Sequence, residues 1–256
     1  MRILAIGDVV GNIGCRFLRQ RLPALKKLKG VDLVIANGEN SADGNGVTPI
    51  SADFLFSSGV DVITTGNHSF RRREIYPYYD DAPYILRPAN FPEKTTPGNG
   101  TLIYDMGRVQ VCVINLMGCV FLENLKDPYE TIDEILKKNT AKITILDFHA
   151  EATAEKLAMG YYLDGRISAM FGTHTHVQTA DECIFENGMG YITDVGMTGP
   201  IKSVLGVKPE LAIKKQREKL PVRFEPADGD CKMDCILFQI DEKSGKTINI
   251  ERIEIR

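Results

Sequence analysis

Five short apolar runs, each followed by polar residues, restrict most strongly how this chain folds. The runs span residues 3–6, 33–36, 60–63, 143–148 and 167–171. Runs of this length are typical of buried strands, and helical patterns stand between several of them, such as the one that contains Phe17, Leu18, Leu22 and Leu25. Strands that alternate with helices predict right-handed βαβ units with parallel strands.

The residues that follow the runs are suited to binding metal. They are Gly7-Asp8, Asn37-Gly38-Glu39-Asn40, Gly66-Asn67-His68, Asp147-Phe148-His149 and Gly172-Thr173-His174-Thr175-His176. All 4 histidines of the chain lie in these loops. Because ligands bind outside the carboxyl ends of strands in α/β sheets, we expect the loops to converge. Carboxylate, amide and imidazole groups without a thiolate favour iron, manganese or zinc over calcium or magnesium.

Each of these residues alone also has a purely structural explanation. Asp8 would serve as the N-cap of the following helix, and Asn40 and Asn67 would serve as turn residues. The grouping of every histidine in these loops favours a metal site over those explanations.

The rest of the chain predicts further elements but no domain boundary. Residues 83–100 are typical of an extended loop, and residues 102–104 and 109–114 of an antiparallel hairpin. Thr48 before Pro49 predicts a helix start, and Asp127 to Glu130 predict a capping box that opens another helix. Residues 234–240 and 247–253 predict a closing hairpin. No repeat or linker interrupts the chain, so we expect one mixed α/β domain over residues 1–256.

Charge and composition narrow the classes of function. A formal net charge of −3 gives no general electrostatic reason to bind long nucleic acid. No stretch approaches the roughly 20 apolar residues that span a bilayer, and the opening residues do not resemble a signal peptide. The 6 cysteines contain no C-x-x-C pair, which is typical of reduced thiols. We therefore expect a cytoplasmic protein that does not bind membranes.

The order of these motifs resembles that of the calcineurin-like metallophosphoesterases. Members have an aspartate after strand one, an acidic residue after strand two, Gly-Asn-His, a lone histidine and Gly-x-His-x-His, which match Asp8, Glu39, Gly66-Asn67-His68, His149 and residues 172–176. Over nearly its full length the chain is similar to the YmdB-like branch. The segments that match are Gly7-Asp8-Val9-Val10-Gly11, Asn37-Gly38-Glu39-Asn40, Arg87-Pro88-Ala89-Asn90-Phe91-Pro92, Asp147-Phe148-His149-Ala150-Glu151 and Thr193-Asp194-Val195-Gly196-Met197-Thr198-Gly199-Pro200. The resemblance implies a four-layer α-β-β-α sandwich with a central pair of mixed sheets.

Two positions depart from the wider superfamily. Val10 stands where most members have the histidine of an Asp-x-His motif, and Glu39 stands where most have aspartate. Both departures resemble the YmdB-like branch and therefore favour that branch over an inactive enzyme. They leave the first metal site short of a nitrogen ligand, for which the amide oxygen of Asn40 is a candidate replacement.

The resemblance also implies two metal ions per chain, iron or manganese with zinc as an alternative, and a bridging hydroxide as nucleophile. The ligands that it implies are Glu39 as the bridge, Asp8 and His176 with Asn40 as a candidate for the first ion, and Asn67, His149 and His174 for the second. His68 would point away from the metals and protonate the leaving alkoxide as general acid, with a role as nitrogen ligand as the alternative.

Other residues are candidates for supporting roles. Arg87 and Arg166 are candidate substrate contacts, and Arg71 to Arg73 either attract an anionic substrate or are solvated helix residues. Asp147 is a candidate partner that orients a ligand histidine.

The YmdB-like branch implies hydrolysis of 2′,3′-cyclic nucleotides, so the expected partner is a small phosphodiester or nucleotide. Cyclic dinucleotides, short RNA ends and phosphomonoesters are alternative substrates. A regulatory or scaffolding protein that binds metal with little turnover is the alternative of a different class, because the fold alone does not fix activity. The family also implies self-association into a homo-oligomer.

Overall fold

Strands and helices alternate along most of the chain, and the computed structural model describes all 256 residues, Met1–Arg256. The strands are β1 (Arg2–Ile6), β2 (Asp8–Val9), β3 (Leu33–Asn37), β4 (Val62–Thr64), β5 (Thr101–Asp105), β6 (Gln110–Met117), β7 (Ile143–His149), β8 (Ala169–Thr173), β9 (Cys183–Ile184), β10 (Gly190–Ile192), β11 (Met197–Pro200), β12 (Cys231–Ile240) and β13 (Thr247–Ile255). The helices are α1 (Gly11–Lys29), α2 (Pro49–Ser57), α3 (Ile75–Asp81), α4 (Pro128–Lys138), α5 (Thr153–Leu163) and α6 (Pro209–Glu218). None of the helices has the length and apolar character needed to cross a membrane.

The strands form two mixed sheets. The first has 7 strands in the order β2-β11-β12-β1-β3-β4, with β13 also paired to β12. The second has 6 strands in the order β5-β6-β7-β8-β10-β9. Strands β1, β3 and β4 are parallel, as are β6, β7, β8 and β10, so each sheet gathers the carboxyl ends of its parallel strands at one edge.

The two sheets pack face to face because alternate residues of each strand are apolar on the inner side. Ile3 and Ala5 of β1 belong to one buried cluster with Val113, Ile145 and Phe171 of the second sheet. Side chains on successive strand positions point to opposite faces, so the residues between them face outward. The inner cluster therefore joins both halves of the chain in one core.

Helices cover the outer face of each sheet. Leu4 and Ile6 of β1 pack with Leu18 and Leu22 of α1 on one side. On the other side Phe148 of β7 packs with side chains of α4 and α5, which include Ile132, Met159 and Leu163. These layers confirm the predicted four-layer α-β-β-α sandwich.

Two predicted strands begin later than the apolar runs that indicated them. Strand β4 starts at Val62 because the amide of Val60 still donates to Leu55 and closes the turn after α2. Strand β8 starts at Ala169 because the amide of Ile167 donates to Leu163 at the end of α5. Each run therefore includes residues that end the preceding helix.

The predicted capping box at α4 is only half formed. The Asp127 carboxylate accepts from the amides of Tyr129 and Glu130, but no bond returns from Glu130 to the N-cap amide. The reciprocal arrangement occurs at α2 instead, where the side chains of Thr48 and Ser51 each accept from the other's amide. Both helices nevertheless begin at the predicted proline.

Candidate metal centre

The predicted metal ligands meet where the carboxyl ends of the two sheets face each other. Asp8 opens β2 directly after β1, Glu39 follows β3, and His149 is the last residue of β7. Asn67 follows β4, and His174 follows β8. All seven residues that the sequence predicted as ligands lie in this one cluster, each with a polar atom within 3.4 Å of another member.

One half of the cluster is centred on His149. Its Nε2 atom lies 2.9 Å from Asn67 Oδ1, 3.0 Å from His174 Nδ1 and 3.3 Å from Glu39 Oε1. Ligand atoms of Glu39, His149 and His174 all lie within 4.8 Å of one another. His149 and Glu39 are buried and His174 is partly exposed, so this half of the cluster opens to solvent on the side of His174.

His149 and His174 each have one ring nitrogen that faces the cluster and one that faces away from it. The hydrogen bond of the outer nitrogen determines whether the inner nitrogen carries a lone pair. The Thr173 hydroxyl donates to Asp147 Oδ1 at 2.7 Å, so it accepts from His149 Nδ1 at 2.9 Å. Likewise His174 Nε2 lies 3.0 Å from the Glu151 carboxylate, which only accepts. Asp147 thus orients His149 through Thr173 rather than directly.

The consequence is that His149 Nε2, His174 Nδ1, Asn67 Oδ1 and the Glu39 carboxylate all present lone pairs to one point. Acceptors that converge without a donor repel one another unless a cation or a proton lies between them. These atoms are nitrogen and oxygen ligands of the kind that iron, manganese and zinc prefer. The residues therefore fit the metal ion that the sequence implied.

Charge within the cluster supports the same conclusion. Burial acts to lower the pKa of His149, but the carboxylates of Glu39 and Asp8 outweigh it and raise the pKa to about 9. Burial acts to raise the pKa of Glu39, while the positive charge of His149 outweighs it and holds that pKa below its ordinary value. Without metal, a proton on His149 thus balances the carboxylates.

The other half of the cluster contains Asp8 and His176. His176 Nδ1 donates to the carbonyl of Leu205 at 2.9 Å, which leaves Nε2 to face Asp8 Oδ1 at 3.4 Å. The second oxygen of Asp8 accepts from the amide of His174 at 3.1 Å. Burial acts to raise the pKa of Asp8, but His176 and His149 lower it well below its ordinary value. The N-cap of α1 is Val10, so Asp8 does not cap that helix.

Asn40 joins the two halves, but not through its oxygen. Its amide nitrogen lies 3.2 Å from His176 Nε2 and 3.3 Å from Asp8 Oδ1, whereas its amide oxygen lies 2.8 Å from His68 Nδ1. The predicted oxygen ligand is therefore turned toward His68 in this structure. A half-turn of the amide group exchanges the two atoms without moving the backbone.

His68 lies against the cluster rather than pointing away from it as the sequence suggested. Its Nδ1 is 3.3 Å from Glu39 Oε1, and its amide donates to Glu39 Oε2 at 2.9 Å. The side chain keeps 27% of its surface exposed, whereas Glu39 keeps 1%. Burial is the main cause that lowers the pKa of His68 from its ordinary value, and the charge of Glu39 opposes it.

The structure does not bring the predicted arginine contacts to the cluster. Arg87 is buried and donates to the carbonyls of Pro88 and Pro97, so it holds the proline-rich loop. Arg166 precedes β8, whereas His174 follows it, so Arg166 lies toward the opposite end of the strand, where it pairs with Asp133 at 2.6 Å.

Of the three neighbouring arginines, only the middle one is engaged by the fold. Arg72 donates to the carbonyls of Ala42 and Asn45. Arg71 and Arg73 are exposed. Arg71 is one turn beyond His68, since its amide donates to the His68 carbonyl.

Sequence reasoning missed Lys156, a charged residue buried beside the cluster. The buried residues of α5 are Lys156, Met159, Gly160 and Leu163, which are spaced as one helical face. A lysine at a core position of that face was the available signal, because unpaired lysine is almost never fully buried.

Comparisons with known proteins identify the family of the chain. A protein-family model described as YmdB-like protein matches residues 4–253. The chain is 48% identical over its full length to the 2′,3′-cyclic-nucleotide 2′-phosphodiesterase of Bacillus subtilis, of which it covers 97%.

Solved structures add two close matches. A Thermus thermophilus protein described as hypothetical has a TM-score of 0.94 at 36% identity, with 100% of this chain and 99% of that one covered. A Mycoplasma pneumoniae protein described as a novel phosphatase has a TM-score of 0.95 at 32% identity, with 100% and 93% covered. On the family match and these identities, the chain belongs to the YmdB-like protein family.

Proposed function

We propose that this chain is a dinuclear-metal phosphodiesterase that hydrolyses 2′,3′-cyclic nucleotides or closely related phosphodiesters. The coarser class, a phosphoric ester hydrolase, agrees with the names of its relatives, which are a phosphodiesterase and a phosphatase. One observation carries the proposal. Lone pairs of residues from both sheets, including the buried carboxylate of Glu39, point to one place in the cluster. We also propose that residues 1–256 act as one catalytic domain, because the inner core joins both sheets.

The proposed ligand sets follow the two halves of the cluster. Glu39 would be shared, Asp8 and His176 would hold one ion with Asn40 as a further ligand, and Asn67, His149 and His174 would hold the other; iron or manganese fits this set best, with zinc as an alternative. When bound, two divalent ions polarise the phosphate and lower the pKa of the attacking water.

The charge of the cluster favours a diester over a monoester. Asp8 and Glu39 contribute two negative charges against the four positive charges of two divalent ions. One deprotonated water molecule and one singly charged phosphodiester neutralise the remainder. A phosphomonoester dianion would leave excess negative charge in a buried site, which costs free energy.

We propose His68 as the general acid. Its Nδ1 lies 2.8 Å from Asn40 Oδ1, so Nε2 is on the opposite side of the ring from Asn40. Part of the side chain is exposed and therefore accessible to a substrate. Burial lowers the pKa of His68 and the charge of Glu39 opposes that shift, so the protonated ring gives up its proton more readily than an ordinary imidazole does. Protonation of a leaving alkoxide by a positioned side chain accelerates a reaction by about 10²–10⁴-fold.

Hydrolysis of 2′,3′-cyclic AMP by the purified protein, reconstituted with Mn²⁺ or Fe²⁺, tests the proposal. We expect turnover by the unmodified protein and a loss of about a hundredfold in His68→Ala. Metal content is measured in the same samples. Retention of two ions by His68→Ala supports the acid, whereas loss of an ion supports the alternative role of His68 as a nitrogen ligand.

A substrate whose leaving group needs no proton sharpens this test. With bis-p-nitrophenyl phosphate, the defect of His68→Ala should nearly disappear, because nitrophenolate leaves without protonation. Arg73→Lys is a suitable control, since Arg73 is exposed and close to His68 in the chain, and lysine keeps its charge. Two bound ions without turnover of any phosphodiester would refute the enzymatic proposal and favour a metal-binding scaffold.

The phosphatase name of the Mycoplasma pneumoniae relative makes a phosphomonoesterase the second candidate. Faster hydrolysis of 2′-AMP or 3′-AMP than of the cyclic diester would favour it. Self-association and a cytoplasmic location stay predictions.

A further inference from the structure

The segment that presents two of the proposed ligands has an unusual backbone. His174 has a φ of 101° and His176 a φ of 63°, both in the left-handed region. Residues with a side chain rarely adopt such angles and keep them only where the surroundings impose them. Some contact must therefore hold residues 173–176 in place.

Lys156 provides the first of these contacts from the buried face of α5. Its Nζ donates to the carbonyl of Thr173 at 2.8 Å and to Asp194 Oδ2 at 2.7 Å. The side chain of Lys156 is completely buried, and its aliphatic part packs over Gly172. A Cβ added at Gly172 would lie 2.9 Å from Lys156 Cδ and closer still to the Thr193 carbonyl. Only glycine fits beneath this lysine.

Asp194 provides the second contact. Its Oδ2 also accepts from the amide of Thr175 at 3.1 Å, and its Oδ1 accepts from the amide of Gly196 at 2.9 Å. Lys156 and Asp194 therefore fix the carbonyl before His174 and the amide after it. Thr175 directly precedes His176, so we expect the positions of both histidines to depend on these hydrogen bonds.

A buried ion pair of this kind has no evident role in stability alone. Removing two charges from water costs so much that apolar replacements of similar volume are often equally stable. The geometry points to a different role. We propose that Lys156 and Asp194 form a positioning pair that holds His174 and His176 in the conformation that binds both metal ions, and thereby sets metal affinity. This inference rests on the metal centre of the proposed function.

Calorimetric titration with Mn²⁺ tests the positioning pair independently of turnover. Lys156→Met keeps the length of the stem but removes the donor, and we expect Mn²⁺ affinity to fall by about 10- to 100-fold. Leu163→Ala is the matched control, because Leu163 is buried on the same face of α5 about two helical turns beyond Lys156. It should lose thermal stability while retaining Mn²⁺ affinity.

Asp194→Asn is the second variant, since it keeps the shape of the side chain if Lys156→Met fails to fold. We expect it to weaken Mn²⁺ binding in a folded protein. If either folded variant binds Mn²⁺ as tightly as Leu163→Ala does, the positioning role is wrong. If the unmodified protein binds two ions and these variants lose affinity, the inference holds even where no phosphodiester is hydrolysed, so the two proposals fail separately.

Discussion

Replacing Thr173 with valine would remove the hydroxyl that joins His149 to Asp147 while nearly preserving the shape of the side chain. The hydroxyl accepts from His149 Nδ1 at 2.9 Å and donates to Asp147 Oδ1 at 2.7 Å. The main-chain carbonyl that Lys156 holds would remain. The variant therefore isolates the orientation of His149 from the orientation of the following histidines.

The magnitude follows from the burial of His149, which is completely shielded from solvent. A buried donor left without a partner costs about 1–3 kcal/mol. A bound ion would fix Nε2 toward the cluster and so leave the Nδ1–H without a partner, whereas the metal-free ring can turn about its side-chain torsions to pair that N–H. Much of this free-energy cost therefore falls on the metal-bound state. Each step of about 1.4 kcal/mol changes a dissociation constant tenfold, so Mn²⁺ affinity should fall by roughly 10- to 100-fold.

Thr144→Val is the matched control for this prediction. Thr144 is a buried threonine on β7, the strand that carries His149, and its hydroxyl accepts from Asn139 at 2.8 Å near the other end of that strand. Both variants should lose stability in urea denaturation, but only Thr173→Val should weaken Mn²⁺ binding in calorimetric titration. Equal Mn²⁺ affinity in the two variants would refute the orientation of His149 by Thr173.

Three further predictions follow from the same structure. Because the pKa of His149 is about 9 without metal, Mn²⁺ must displace a proton from His149 below that pH. The affinity for Mn²⁺ should therefore rise about tenfold per pH unit from 6 to 9, and calorimetry in two buffers measures the protons released. Gly66→Ala should abolish Mn²⁺ binding at the second site, measured by metal content, because its Cβ would overlap the ring of His149. Asp127→Ala should lower the free energy of unfolding by about 1 kcal/mol in urea, whereas Glu130→Ala should change it little, because only Asp127 accepts from the helix amides.

Each of these predictions has a contrary outcome. Affinity for Mn²⁺ that does not change between pH 6 and 9 would show that His149 carries no displaceable proton. Two tightly bound ions in Gly66→Ala would show that the His149 ring moves freely. Equal destabilisation by Asp127→Ala and Glu130→Ala would show that the capping box closes in solution.

The sequence predicted that these polar residues cluster because their position depends mainly on topology. Parallel strands end at one edge of a sheet, so polar residues after β1, β3 and β4 must approach one another in the first sheet, as must those after β7 and β8 in the second. The fold class was predictable for the same reason, since alternating strands and helices permit few arrangements. The roles proposed for Glu39 and His68 rest on family resemblance.

Side-chain orientation and support from distant segments were not predictable in this way. The amide of Asn40 turns its oxygen to His68 because of contacts that only the folded chain creates. The position of Lys156 on the buried face of α5 marks it in the sequence, but the carbonyl of Thr173 that it contacts is visible only in the folded chain. Arg166 was misplaced because strand direction, rather than distance along the chain, decides which end of β8 a residue occupies.

The position of β12 has a consequence for the synthesis of the protein. Strand β1 lies between β3 and β12, and the Ile6 position pairs with Cys235, near the end of the chain. A ribosome that adds about 5–20 residues per second would need roughly 10–50 s between these two strands. During that time one edge of β1 is unpaired. The amide of Gly7, next to Asp8, is also unpaired, because in the folded chain it donates to the carbonyl of Asp234. The nascent chain therefore contains every proposed ligand before β12 can hold them in place, so we expect any metal binding at this cluster to follow the pairing of β12 with β1.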